Sequence, residues 1–146
     1  MSPITDALIA PAGFGQPVSA EFLERFLSAD RRRPMKEALG LLVADAAAIS
    51  PEMVERTLAM KRGDGVAEAL AAVAAAALGP GATDAGLGDL GRVTAPLLVI
   101  WGTEDRVIPA PVEGARLIAG CGHIPQMEAA AEVNALLAAH IADHDG

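Results

Sequence analysis

Apolar residues along the 146-residue chain recur with two different periods, and the change from one to the other divides the sequence. Ala7–Ala10 is a short apolar run stopped by Pro11-Ala12-Gly13-Phe14-Gly15, the pattern of a strand running into a loop. From Ser19 the spacing becomes helical. Phe22, Leu23, Phe26 and Leu27 fall three and four apart behind Ser19 as N-cap. Pro34 ends that helix and leaves Arg31–Arg33 near its C-terminal end, where cations complement the dipole. A second helix over 34–43 carries Met35, Leu39, Leu42 and Val43 inward. Ser50-Pro51-Glu52 starts a third helix, with a cap, a proline at the first helical position and an acid in the first turn. It runs to Arg62, before Gly63-Asp64-Gly65. The Ala-rich run Val66–Leu78 has high intrinsic propensity and is the fourth helix. Residues 79–91 are dense in Gly, Pro and Asp and predict a connecting loop.

Past Pro96 the period changes again. Leu97–Trp101 is a continuous apolar run of strand length, as expected for a parallel strand buried on both faces. Gly102-Thr103-Glu104-Asp105 turns it, Arg116–Ala119 is a weaker strand, and Gly120-Cys121-Gly122-His123 is a loop. Glu128–Ala142 is a final amphipathic helix carrying Val133, Leu136, Leu137 and Ile141. Loops at the carboxyl ends of parallel strands are where α/β proteins keep their sites. Two such loops deliver Asp105 and His123. A carboxylate that orients an imidazole, and an imidazole that takes a nucleophile's proton, are two parts of a nucleophile–base–orienter system.

Composition narrows the alternatives. Nineteen acidic against eleven basic side chains leave a formal charge of -8, which argues against a nucleic-acid backbone or an anionic membrane as partner. With three Phe, one Trp, no Tyr and much Ala, the core is expected to be helix-rich and thin. The longest uncharged apolar stretch, Ala69–Leu78, is about half of the ~18–20 residues a membrane span needs. Met1–Ala10 lacks the pattern of a signal peptide. A single Cys forms no intrachain disulfide and fits a reducing cytoplasm, the expected location. No metal or cofactor is expected. His140 and His144 stand four apart beside Asp143 and Asp145, which reads as a solvated C-terminus rather than a metal pair. Cys121 reads as a small packed residue rather than a nucleophile. Arg31–Arg33 read as a solvated helix end rather than a site for an anion such as a coenzyme phosphate.

Leu97-Leu98-Val99-Ile100-Trp101-Gly102-Thr103-Glu104-Asp105-Arg106-Val107-Ile108-Pro109 resembles the late strand and acid loop of α/β-hydrolases. Gly120-Cys121-Gly122-His123-Ile124-Pro125-Gln126-Met127-Glu128 resembles their His loop and the start of the last helix. Leu8–Gly15 resembles the strand after the nucleophile helix, and the helices of Ser19–Leu78 resemble the inserted lid. Within that family, Met60-Lys61-Arg62-Gly63-Asp64-Gly65-Val66 and Pro125-Gln126-Met127-Glu128 are most similar to the hydrolase-fold domain of acetoin dehydrogenase dihydrolipoamide acetyltransferase components. The resemblance covers nearly the whole chain. It implies an α/β fold class, a partial α/β-hydrolase fold with late strands of a parallel sheet, a four-helix lid and a C-terminal helix. Residues 1–15 would be a sheet strand and loop, 16–91 the lid, and 92–146 the C-terminal part of the core. It further implies Asp105 as the orienting acid, His123 as the base, and an ester or thioester as the acyl substrate.

Three departures from the family pattern set further expectations. The nucleophile elbow G-x-S-x-G is missing, and Ser2, Ser19, Ser28 and Ser50 lie in terminal, helical or capping contexts. The family's early strands and its other oxyanion donor also have no counterpart. The chain is therefore expected to be the later part of a larger enzyme, without Ser-triad turnover alone. About three strands leave sheet edges open, so the expected partner is a complementary N-terminal chain or a second copy. The alternatives are a non-catalytic helical interaction module and a truncated reading frame with no function of its own. Finally, the stretch between Gly102 and Ala115 is short for a parallel crossover, and Pro109 and Pro111 discourage a helix within it. Asp105 and His123 are thus expected to miss hydrogen-bond distance without rearrangement.

Overall fold

Leu97–Gly102 (β2) is the centre of a three-stranded sheet and explains its layering. Alternate side chains of a strand face opposite sides, and here both sides are apolar. Asp6–Ile9 (β1) pairs with β2 in parallel, from Asp6 opposite Leu97 to Ile9 opposite Ile100. Arg116–Ile118 (β3) pairs in parallel on the other side, from Ile100 opposite Arg116 to Gly102 opposite Ile118. The computed structural model describes residues 5–14, 16–79 and 90–144. Most of the expected loop over 79–91 lies outside them, and Leu90–Arg92 forms a single 3-10 turn.

One face of the sheet packs Ile100, Ile118 and Cys121 against Val133 of the C-terminal helix. That helix is broken near its start. Pro125–Glu128 (α5) is one turn opened by Pro125, and Ala130–His144 (α6) continues after Ala129 leaves helical geometry. The other face packs Val99 and Trp101 against Val107, Ile108 and Val112. Those three residues belong to the connection between β2 and β3, so this loop covers the sheet itself and needs no helix. The Trp101 indole N–H donates to the Ile108 carbonyl at 3.1 Å and holds the loop in place. That satisfies a polar group on a fully buried side chain.

Between β1 and β2 the chain builds a helical layer. Ala20–Ser28 (α1) is capped by Ser19, whose Oγ accepts from the Phe22 N–H at 3.2 Å. Arg32–Leu39 (α2) begins earlier than the prolines suggest, because Pro34 lacks only an N–H that has no partner in a first turn. Arg31–Arg33 therefore do not close α1. Arg31 is the N-cap of α2 and Arg32 and Arg33 open it, which corrects the expected placement at a helix C-terminus. Gly40–Leu42 tightens into a 3-10 turn where the expected second helix would have continued to Val43. Pro51–Lys61 (α3) is capped by Ser50, which accepts from the Met53 N–H at 3.2 Å, and Val66–Leu78 (α4) follows. Met35, Leu39, Val43, Ile49, Val54 and Leu58 form the core of this layer. Lys61 ties α3 to the end of α1, donating to the carbonyls of Phe26, Leu27 and Ala29. Burial lowers its pKa, an effect opposed by the charge of Asp30.

Two glycines let the layers meet. A Cβ on Gly102, at the end of β2, would lie 2.1 Å from the Gly122 carbonyl oxygen. A Cβ on Gly122 would lie 2.6 Å from the Leu42 oxygen and 2.8 Å from the Val43 Cα. Both clashes are with backbone, which cannot swing aside. Gly122→Ala is expected to destabilise the fold by about 1–3 kcal/mol or more through overpacking. Urea unfolding with an unchanged m-value checks this, and an unaltered midpoint would contradict the close approach.

Candidate active site

Asp105 stands where β2 runs out of sheet, in the tight turn closed by its own N–H on the Gly102 carbonyl at 3.3 Å. Its side chain is 1% exposed. A buried carboxylate requires donors, and this one has them. Oδ1 accepts from the N–H groups of Val107 and Ile108, both at 2.8 Å. Such local bonding is the habit of Asp in turns. It leaves Oδ2 free to face the neighbouring loop.

Oδ2 meets His123 Nδ1 at 2.8 Å. The sequence expectation that these residues would miss each other is therefore wrong. The loop from Thr103 to Ala115 folds back under Trp101 instead of spanning outward, so β3 lies directly beside β2. Thr103 donates to the Ile118 carbonyl at 3.0 Å and Glu104 to the Cys121 carbonyl at 2.8 Å, drawing the two loops together. An oxygen that accepts makes Nδ1 the donor, which places the imidazole lone pair on Nε2. Nε2 has no hydrogen-bond partner among the described residues, and the side chain is 20% exposed. An imidazole oriented by a buried carboxylate, with its second nitrogen unpartnered, has the chemistry to take a proton from a nucleophile.

Three residues, His123, Glu128 and Arg106, tie the two loops to residues 40–44. The His123 N–H donates to the Leu42 carbonyl at 2.8 Å. Glu128, the last residue of α5, accepts from the Ala44 N–H through one carboxylate oxygen and from the Gly122 N–H through the other, each at 2.7 Å. Arg106, beside the acid, donates through Nη2 to the Gly40 carbonyl at 2.7 Å and to the Val43 carbonyl at 2.6 Å. Sequence reasoning assigned no role to Glu128 or Arg106. Pro125 marks the turn that ends at Glu128, but nothing along the chain signals a partner 84 positions away.

The remaining candidates are placed elsewhere. Cys121 is buried, and burial pushes its thiol pKa up, with Glu128, Glu132 and Glu104 adding to the rise. It is a poor nucleophile in this setting. Ser19 and Ser50 cap helices, and Ser28 donates to the Glu24 carbonyl, so none of the three bonds to His123. Ser2 lies outside the described residues. The His144 ring donates to the His140 carbonyl at 2.7 Å, and among the described residues no cluster of three His, Cys, Asp or Glu could hold a metal.

Because the folded-state pKa of Cys121 lies above its ordinary 9.0, its contribution to stability is complete below that pH. The contribution is lost as pH rises through the raised value. Stability is thus expected to fall more steeply above pH 9.0 in the parent than in Cys121→Ala, followed by urea midpoints. Parallel profiles would contradict the burial of the thiol.

A model of the alpha/beta hydrolase family matches residues 2–136. The chain is 39% identical over 143 residues to the dihydrolipoyllysine-residue acetyltransferase component of the acetoin cleaving system from Cupriavidus necator. That match covers 92% of this chain and 38% of the relative. The corresponding component from Pseudomonas putida is 36% identical over 146 residues, again with only 39% of its length covered. The chain thus spans well under half the length of these relatives. Among solved structures, a meta-cleavage product hydrolase from Pseudomonas fluorescens superposes with a TM-score of 0.73 at 19% identity, covering 94% of this chain and 55% of that one. A 2-hydroxy-6-oxo-6-phenylhexa-2,4-dienoate hydrolase from a Rhodococcus strain gives 0.66 at 23% identity, covering 93% and 54%. These structural likenesses establish the fold alone. The chain belongs to the α/β hydrolase family.

Proposed function

We propose that this chain supplies the acid–base half of a Ser-His-Asp acyl-transfer site. Asp105 orients His123, and His123 Nε2 takes the proton of a serine that lies outside these 146 residues. The observation that carries the reading is the 2.8 Å contact between the 1%-exposed Asp105 carboxylate and Nδ1 of His123. It leaves the opposite ring nitrogen without a hydrogen-bond partner among the described residues. On attack of the serine Oγ at an acyl carbonyl, the proton moves to Nε2 and the imidazolium is stabilised by Asp105. The same proton then passes to the leaving group. The helices α1–α4 serve as the lid over an ester or thioester, the substrate class that fits this chemistry and the names of the acetyltransferase and hydrolase relatives.

A second reading rests on the sheet. β1 and β3 each pair only with β2 among the described residues, so each offers an edge for another strand. On that reading the chain is a non-catalytic module that pairs with a complementary chain.

The DNA preceding the Met1 codon discriminates between them. An in-frame G-x-S-x-G is expected, and the protein extended to include it is expected to hydrolyse a p-nitrophenyl acyl ester. His123→Ala should then cost about 10³–10⁶-fold in kcat, while the 146-residue chain alone shows no turnover that depends on His123. Turnover by the chain alone that is lost in His123→Ala would overturn the absent-serine assignment. An extended protein that folds but has no esterase activity would favour the non-catalytic module.

A further inference from the structure

Apart from Asp105 and His123, the structure holds a wide, partly open cavity. It encloses about 710 Å³ between α2, the start of α3 and the loop after β2, a volume within the range of small-molecule sites. Neither Asp105 nor His123 lines it. Its charge is opposite to that of the molecule. Arg25, Arg32, Arg33, Lys36 and Arg106 face it, against the carboxylates of Glu37 and Glu55. Five cations against two acids, in a chain of net charge -8, is a local concentration of positive charge.

The cations are not all neutralised locally. Arg32 pairs with Glu55, and Arg33 pairs with Glu37 at 3.1 Å. Their side chains are 80% and 91% exposed, and pairs of that kind contribute little and exchange readily. Arg25 pairs outside the cavity, with Glu21 at 2.9 Å. Lys36 and Arg106 have no ion-pair partner among the described residues. Arg106 is also the fixed point of the group, since its Nη2 is held by the carbonyls of Gly40 and Val43. Between the cations the wall is apolar, formed by Leu41, Pro51 and Val54.

We propose that this cavity binds a small organic phosphate, its phosphoryl oxygens on the arginine and lysine side chains and its apolar body on Leu41, Pro51 and Val54. An excess of cations of this size suits a group bearing about two negative charges and three acceptor oxygens better than a single carboxylate. Arg forks match phosphate oxygens two at a time, and Lys adds a point charge. The assignment does not depend on the acyl-transfer reading: neither Asp105 nor His123 lines the cavity, and Arg106, which also holds the carbonyls of Gly40 and Val43, is the one side chain common to the cavity and the contacts around the site.

Isothermal titration of the full chain with phenyl phosphate, inorganic phosphate, phenylacetate and benzyl alcohol tests the proposal. Phenyl phosphate is expected to bind one to one, at least about tenfold tighter than each of the other three, and more weakly as salt rises. The double variant Arg33→Gln/Lys36→Gln should lose about tenfold or more in affinity, while Arg56→Gln, a cation outside the cavity, should lose none. Glu55→Gln should tighten binding, a gain that a folding defect cannot produce. The proposal is overturned by an absence of binding at millimolar phenyl phosphate. It is equally overturned if inorganic phosphate or phenylacetate matches phenyl phosphate, or if the double variant binds like the parent.

Discussion

Asp105 is the one charged side chain fully buried among the described residues, and the arrangement of the C-terminal half follows from satisfying it. A carboxylate out of water costs several kcal/mol unless it is hydrogen-bonded. Two backbone N–H groups of its own loop occupy Oδ1, which bends the chain sharply after β2. The remaining oxygen needs a donor that the loop cannot supply. His123 is that donor, so the demand of one buried charge brings together two loops 18 residues apart. The same bend directs Val107 and Ile108 under Trp101, where they close one face of the sheet.

The helical layer takes part in this through its backbone. Residues 40–44 form a short irregular segment whose carbonyls and N–H groups would otherwise be left without partners. Arg106 takes the carbonyls of Gly40 and Val43, His123 that of Leu42, and Glu128 the N–H of Ala44. Each of these partners sits on or beside one of the two site loops. Gly122 permits the approach, since any side chain there would meet the backbone of Leu42 and Val43. Orientation of His123 is therefore coupled to the helices between β1 and β2, although no side chain of those helices contacts the imidazole in the hydrogen-bond network. Contacts of this kind, made to backbone groups, hold the imidazole in one orientation.

Much of this was legible in the sequence. Val66–Leu78 has the bounds expected from its propensity. The apolar run Leu97–Trp101 marks β2, extended by one residue, and the acid and His loops are where the motifs put them. What failed depended on contacts across the chain. Separation of Asp105 from His123 was expected because a parallel connection usually needs a helix to cover the sheet. Val107, Ile108 and Val112 do that covering from within the loop. Arg31–Arg33 were assigned to the wrong helix because Pro34 reads equally well as a stop and as a first-turn residue. Glu128 carries no local signal, since its partners are Ala44 and Gly122.

The Asp105 carboxylate fixes the neutral His123 ring with its lone pair on Nε2. Nitrogen-15 NMR of the imidazole in its neutral form measures this directly. A hydrogen on Nδ1, a pyridine-type Nε2, and loss of that preference in Asp105→Asn are expected. A neutral His123 carrying its hydrogen on Nε2, with a spectrum unchanged by Asp105→Asn, would contradict it.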